Sequence, residues 1–317
     1  MHVLTNEIRK IAKDLLESKE VDLVIGFEQG TMHLRSTPCF VRDAADADRL
    51  VWDDFCQNNL ATYVDKREGS TAIVAKGCDT RALVELIKEN RISREQLVII
   101  GVPCEGMVDR AQIETELDNG AIREVLTENG ELVVKGINSE KRFNREAFLY
   151  KSCKLCRQRN PVIYDKLVGS ELKTSGDDSF QDIEAFEALP TEERWTYFSK
   201  EMDKCIRCYA CRNACPLCYC QECFVDFSSP QWIGKSVDLS DTALFHLMRA
   251  FHLAGRCVEC GACERACPIG VDIGKLNRKL CKDVRELFGY RAGTSIEEVA
   301  PLSTYRLDDP ENFMFEL

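Results

Sequence analysis

The chain has no lysine- and arginine-rich block, no apolar run near the ~18 residues that mark a membrane-spanning helix, no G-x4-G-K-[ST] phosphate loop and no G-x-G-x-x-G following a strand-like segment. Each absence removes a class of function. With 42 basic against 53 acidic residues the formal charge is −11, so the positive footprint of a nucleic-acid binder is missing and no nucleic-acid partner is expected. No membrane span is expected either. Residues 1–16, charged at Glu7, Arg9, Lys10, Lys13 and Asp14, lack the apolar centre of a secretory signal, which makes the cytoplasm the expected location. Histidine is scarce: His2 and His33 are isolated, and His246 and His252 flank the apolar face of a helical stretch, so a core or surface role is expected rather than ligation. No Ser/His/Asp order stands out, and no catalytic residue is assigned.

Cysteine is abundant instead. Eighteen of 317 residues are cysteine, and eleven of them fall between Cys205 and Cys267. In a reducing compartment thiols stay free unless a metal takes them, so metal binding is favoured over disulfides. The length suits about two domains, and 44% apolar residues can supply a core for each.

The first half alternates strand and helix signals. Apolar runs at Val21–Phe27, Ala72–Ala75 and Leu97–Val102 read as strands, and Thr80–Asn90 places Ala82, Leu83, Leu86 and Ile87 on one helical face, capped by Asp79 or Thr80. This predicts a β-α-β unit. Asn129-Gly130 between two apolar runs predicts a hairpin over residues 124–134. From Glu171 to Pro190 the chain turns acidic and loose, with six acids opposed by Lys173 alone. The second half is helix and loop: Leu244, Leu247, Met248 and Phe251 fall at helical spacing before Gly255, and residues 276–288 repeat the pattern before Gly289. The expected architecture is an α/β N-terminal domain with a small mixed sheet over 1–170, an acidic linker over 171–199, a mainly helical dicluster ferredoxin domain over 200–290, and a C-terminal arm over 291–317. That arm carries six acids and Tyr305, Phe313 and Phe315 in its last 22 residues, and either docks on a partner subunit or frays.

Two segments share the spacing C-x2-C-x2-C-x3-C-P: Cys205, Cys208, Cys211 and Cys215 before Pro216, and Cys257, Cys260, Cys263 and Cys267 before Pro268. Short spacers wrap three thiolates around three irons of a cubane, and the fourth ligand approaches from the other motif. By that rule Cys205, Cys208, Cys211 and Cys267 hold one 4Fe-4S cluster, and Cys257, Cys260, Cys263 and Cys215 the other. Structural zinc, which takes two ligand pairs in a tetrahedron, fits paired triplets poorly.

Four more cysteines fall in the first domain. Cys78 and Cys104 follow the strands of the β-α-β unit, where ligands of open α/β sheets collect, and Cys153 and Cys156 come as a C-x2-C pair. Cys78 also precedes a helix N-terminus, whose dipole favours an anionic group. Cys78, Cys104, Cys153 and Cys156 suit a third 4Fe-4S cluster, with a zinc site as the alternative. Lys76, Asp79 and Arg81 either tune that group or form a solvated helix start. Six thiols remain. Cys218, Cys220 and Cys223 can hold a further cluster with Cys39, placed in a loop after Pro38, as the fourth ligand, or serve as structural thiols or alternative ligands to the neighbouring centre. Cys56 and Cys281 read as small buried residues on helix faces.

Residues 200–290 resemble a two-cluster bacterial ferredoxin domain, with 41 residues between Cys215 and Cys257, and the segment Phe251–Cys260 looks like the dicluster domains of heterodisulfide reductase C-type subunits. The order Lys76-Gly-Cys-Asp-Thr-Arg-Ala-Leu83, then Gly101-Val-Pro-Cys104, then Cys153-x2-Cys156 resembles the coenzyme F420 hydrogenase/dehydrogenase beta-subunit family over residues 70–170. That resemblance implies a 4Fe-4S cluster beside FAD, although no glycine-rich flavin-binding stretch is recognisable. It implies an electron-relay subunit partnered by flavoprotein, hydrogenase or dehydrogenase subunits. The setting would be an anaerobe's hydrogenase, formate dehydrogenase or heterodisulfide reductase-like complex, with flavin-based electron bifurcation as one form. The alternative is a flavin-containing subunit that itself reduces a deazaflavin or another soluble carrier.

Overall fold

In the computed structural model, residues 2–64, 69–116, 122–128, 130–136, 140–173, 176 and 180–303 are described. Helix α1 (His2–Glu17) buries Ile8, Ala12 and Leu15 at helical spacing. Strand β1 (Leu23–Gln29) turns back into β2 (Ser36–Val41), antiparallel, with Val24 opposite Val41 and Gly26 opposite Cys39. Strand β3 (Thr71–Ala75) lies parallel to β1, and helix α2 (Gly77–Lys88) crosses over to β4 (Leu97–Gly101), parallel to β3. The predicted β-α-β unit is therefore present. All five residues of β3 are buried, as a central parallel strand covered on both faces requires.

After α3 (Arg110–Glu116), β5 (Ile122–Glu128), β6 (Glu131–Gly136) and β7 (Glu140–Asn144) form a separate antiparallel sheet. The predicted hairpin is its first turn, where Gly130 has φ +82°; Asn129 lies outside the described residues. Helix α4 (Lys151–Lys154) carries Cys153, and β8 (Lys166–Leu167) joins β4 to complete a five-stranded mixed sheet in the order β2-β1-β3-β4-β8.

The second half is helical. The acidic stretch expected as a loose linker contains α5 (Gln181–Glu187) and most of α6 (Thr191–Asp203). Charge pairing explains the order of α5: Asp182 meets Arg278, and Glu187 meets Lys279 and Lys282. Helices α7 (Ala210–Asn213) and α9 (Ala262–Arg265) are single turns within the two cysteine motifs, and the long helices α8 (Leu239–His252) and α10 (Ile273–Phe288) follow them. Gly255 and Gly289 sit in the left-handed region just past α8 and α10.

Helix α8 exposes much of the apolar face its spacing marks. Leu244, Met248 and Phe251 are exposed, whereas Thr242, Phe245, His246 and Arg249 are buried. The halves also share one core, since Leu253, Val258, Val284 and Tyr290 join the apolar residues of the sheet. Polar ties reinforce it. Arg81, buried in α2, donates to the Ala292 and Val258 carbonyls at 2.9 and 3.0 Å. Buried Glu85 accepts from Tyr290 Oη at 2.8 Å and Gly293 N at 2.6 Å. The first residues of the expected C-terminal arm thus dock on the chain itself. Tyr305, Phe313 and Phe315, and with them the expected partner contact, lie outside the described residues.

Candidate metal centres

The two cysteine motifs fold alike. Arg207 and Tyr209 in the first have φ +51° and +59°, and the equivalent Glu259 and Gly261 in the second have +56° and +69°. The left-handed region costs a non-glycine residue roughly 1–2 kcal/mol, so Arg207, Tyr209 and Glu259 are strained, whereas Gly261 takes the same turn without that cost. Backbone N–H groups point at sulfur within the first motif and just past the second. Arg207 N lies 3.4 Å from Cys205 Sγ, and Val271 N lies 3.3 Å from Cys267 Sγ.

The thiols gather by exchange between the motifs. Cys205 is raised first by burial and then by the nearby Cys267 and Cys208, and Cys211 is raised by burial and by Cys205 and Cys267. In the second group the Cys260 thiol is pushed up to about 11, mainly by burial, with Cys215 and Cys257 beside it and Arg265 opposing. Cys263 is likewise raised by burial and has Cys215, Cys257 and Cys260 as neighbours. Cys267 therefore stands with the first motif and Cys215 with the second.

Cys78, Cys104, Cys153 and Cys156 line one cavity together with Lys76, Arg265 and Cys260. Cys78 lies in the first turn of α2, Cys104 follows β4, and past the antiparallel sheet α4 brings in Cys153 and the chain just beyond it Cys156. Two glycines permit the approach: a Cβ at Gly77 would strike the Gln158 carbonyl, and one at Gly261 would strike Ser152 Oγ. Burial pushes Cys104 up to about 12 and Cys78 well above its usual range. Lys76, Asp79 and Arg81 are buried rather than a solvated helix start, and Lys76 Nζ lies 2.8 Å from Asp79. A second cavity joins Cys78, Cys153 and Cys156 to Cys215, Cys257, Cys260 and Cys263, so the first-domain thiols and the second motif adjoin.

The extra thiols do not converge. Cys39 sits on edge strand β2, not in a loop, with Glu28 and Arg49 as neighbours, and burial raises it to about 11. Cys218 hydrogen-bonds Cys215, which holds its thiol below the usual range; Cys223 pairs with Arg212, and Cys220 is exposed. The expected grouping of Cys39 with Cys218, Cys220 and Cys223 is therefore not formed, because the strand pairing of β2 holds Cys39 in the sheet. Cys56 is buried in a turn rather than on a helix, and Cys281, on α10, pairs with Cys257. Among the described residues no three His, Cys, Asp or Glu side chains are gathered closely enough to hold a single ion.

Sequence reasoning missed two side chains that touch these thiols. His246 Nε2 lies 3.3 Å from Cys205 Sγ, and Asn277 Nδ2 lies 3.5 Å from Cys263 Sγ. A metal-bound sulfur at Cys205 would only accept, which would put the His246 proton on Nε2; Nδ1 is buried without a partner among the described residues. Burial and the nearby Arg249 and Arg207 hold that imidazole neutral, with its pKa lowered to about 4. The signal available in the sequence was a polar residue at each of two helical positions following a cysteine motif.

Residues 201–271 match the 4Fe-4S dicluster domain family, which implies at least two 4Fe-4S clusters. The F420-dependent formate dehydrogenase subunit beta of Methanocaldococcus jannaschii is 23% identical over 351 residues, covering 90% of this chain and 91% of that protein. The F420-dependent formate dehydrogenase 1 subunit beta of Methanococcus maripaludis is 24% identical over 363 residues, covering 93% and 91%. A chain of the F420-reducing [NiFe] hydrogenase complex from Methanosarcina barkeri aligns with a TM-score of 0.39 and 14% identity, over 49% of this chain and 63% of that one. The chain thus resembles F420-dependent beta subunits over nine-tenths of its length and carries a dicluster domain. Among the described residues no helix is long and apolar enough to cross a membrane.

Proposed function

We propose that this chain is the iron–sulfur beta subunit of a cytoplasmic, multi-subunit oxidoreductase of the F420-dependent formate dehydrogenase or hydrogenase kind. It relays single electrons between a partner subunit and another redox site. The observation that carries this reading is the adjacency of three thiol groups: the first-domain cavity shares Cys260 with the second motif, and α7 and α9 bring the two motifs together. Bound clusters would supply one-electron exchange without forming bonds to substrate. The chain's own residues supply the ligand sulfurs, exclude water by burial, and place Lys76, Arg265 and Arg249 where thiolate charge must be balanced. Formate or hydrogen chemistry falls to partner subunits.

Iron and acid-labile sulfide in the anaerobically isolated complex test this. About twelve irons per chain are expected if all three groups are filled; iron-free, zinc-replete protein with full secondary structure overturns it. His246→Leu provides a finer check. A donor N–H to a ligand sulfur favours the more negative, reduced cluster, so its loss should lower the midpoint potential of the first-motif centre by about 59 mV, a tenfold change in ratio for one electron. EPR-monitored titration reads this, and the second-motif centre should stay put.

A second reading is favoured by one observation. A cavity of about 210 Å³ lies against Cys104, lined also by Trp52, Met107, Arg145 and Gly169 at the carboxyl end of the sheet. A flavin ring there would make the chain a carrier-reducing subunit in its own right, as the names of its relatives suggest. Flavin released by denaturing the purified protein distinguishes the two.

A further inference from the structure

Arg249 projects from α8 into the space between the two motifs. Its side chain is 4% exposed, and Nη2 donates to the Cys211 carbonyl at 3.1 Å. Around it lie Cys211 of the first motif, Cys215 and Cys263 of the second group, and Cys218. Among the described residues no carboxylate pairs with it, and its Nε is buried with no hydrogen-bond partner. Other buried cations differ. Lys76 has Asp79, Arg145 has Asp54 and Arg278 has Asp182 and Glu259. A buried cation without an anion is not tolerated for nothing. Among the described residues, the neighbours that balance its charge are sulfurs, and they come from both sites.

We propose that Arg249 is a fixed positive charge shared by the two sites of the dicluster domain, a positioning residue that favours the reduced state of both. The proposal deepens the relay reading and rests on it. One electron added to either cluster raises that site's negative charge by one. When the electron passes to the other site, the first loses what the second gains, and the cation between them stays in place. A charge paired with one site alone would oppose that transfer in one direction. Arg249, touching residues of both, lowers the cost of each reduced state together.

The experiment uses the full chain, isolated anaerobically. Wild-type protein lacking iron and acid-labile sulfide would fail the relay reading itself, before Arg249 is addressed. On iron-replete protein, EPR-monitored redox titration compares R249Q and R249K at the potential where each wild-type dicluster centre is half reduced. R249Q should show about a tenfold fall in the reduced-to-oxidised ratio at both centres, equivalent to 59 mV for one electron. R249K, which keeps the charge, should stay close to wild type. R249Q with full iron and unchanged ratios overturns the proposal, as does a shift confined to one centre or an R249K that falls as far as R249Q. Should R249Q lose its iron, R249K decides. Wild-type ratios support the shared charge, and a tenfold fall with full iron overturns it.

Discussion

Replacing Cys104 by alanine is expected to remove about four irons per chain and to leave the iron of the two repeated motifs in place. Cys104 follows β4 and shares its cavity with Cys78, Cys153 and Cys156. Gly106 N lies 3.4 Å from its sulfur, so the loop is already shaped around that atom. Alanine removes the sulfur without adding bulk, and the surrounding backbone bonds, such as Cys104 N to the Arg159 carbonyl at 2.8 Å, do not depend on the side chain. Iron and sulfide analysis of C104A beside the wild type reads the outcome. Loss of all iron, or of none, would show that these four thiols do not form a separate site.

The second large effect is expected from Cys267→Ser. Although Cys267 closes the second motif in sequence, its sulfur stands near Cys205 and Cys211, while Cys215 stands with Cys260 and Cys263. Serine at 267 should therefore abolish or alter the same EPR signal that is lost in C208S, and spare the signal lost in C260S. The opposite pattern would mean that each motif closes on its own cluster. The effect is large because a cubane that loses a thiolate ligand loses an iron corner or its whole core.

Much of the fold and the main sulfur groups were legible in the residues. Turn glycines and apolar runs marked β1, β3, β4, α2 and the hairpin; the three strands bury the apolar runs that marked them, whereas α2 buries Asp79, Thr80, Arg81 and Glu85 beyond its apolar face. Strand β2 was not legible: Ser36, Thr37 and Pro38 look like a loop, and only pairing with β1 makes them a strand. Proline is tolerated there because β2 is an edge strand. The acidic stretch hid α6 and also α5, which pairs with bases on α10 that are distant in sequence.

Helix α8 shows a different limit. Its hydrophobic period marks Leu244, Leu247, Met248 and Phe251, yet Leu244, Met248 and Phe251 are exposed, Leu247 is half-buried, and His246 and Arg249 lie inside. A helix that faces sulfur groups buries the side chains that donate hydrogen bonds or charge to them, and periodicity counts only apolar residues. His246 and Arg249 were invisible for that reason. The separate roles of Cys39, Cys218, Cys220 and Cys223 were invisible for another, since spacing along a chain does not report which way each thiol turns.

The close approach of Gly261 to Ser152, and the grip of Arg81 on the Val258 and Ala292 carbonyls, hold the two halves against one another. Cys78 of one half and Cys260 of the other thereby stand in the wall of a single cavity. A ferredoxin half expressed alone would be missing part of its own lining.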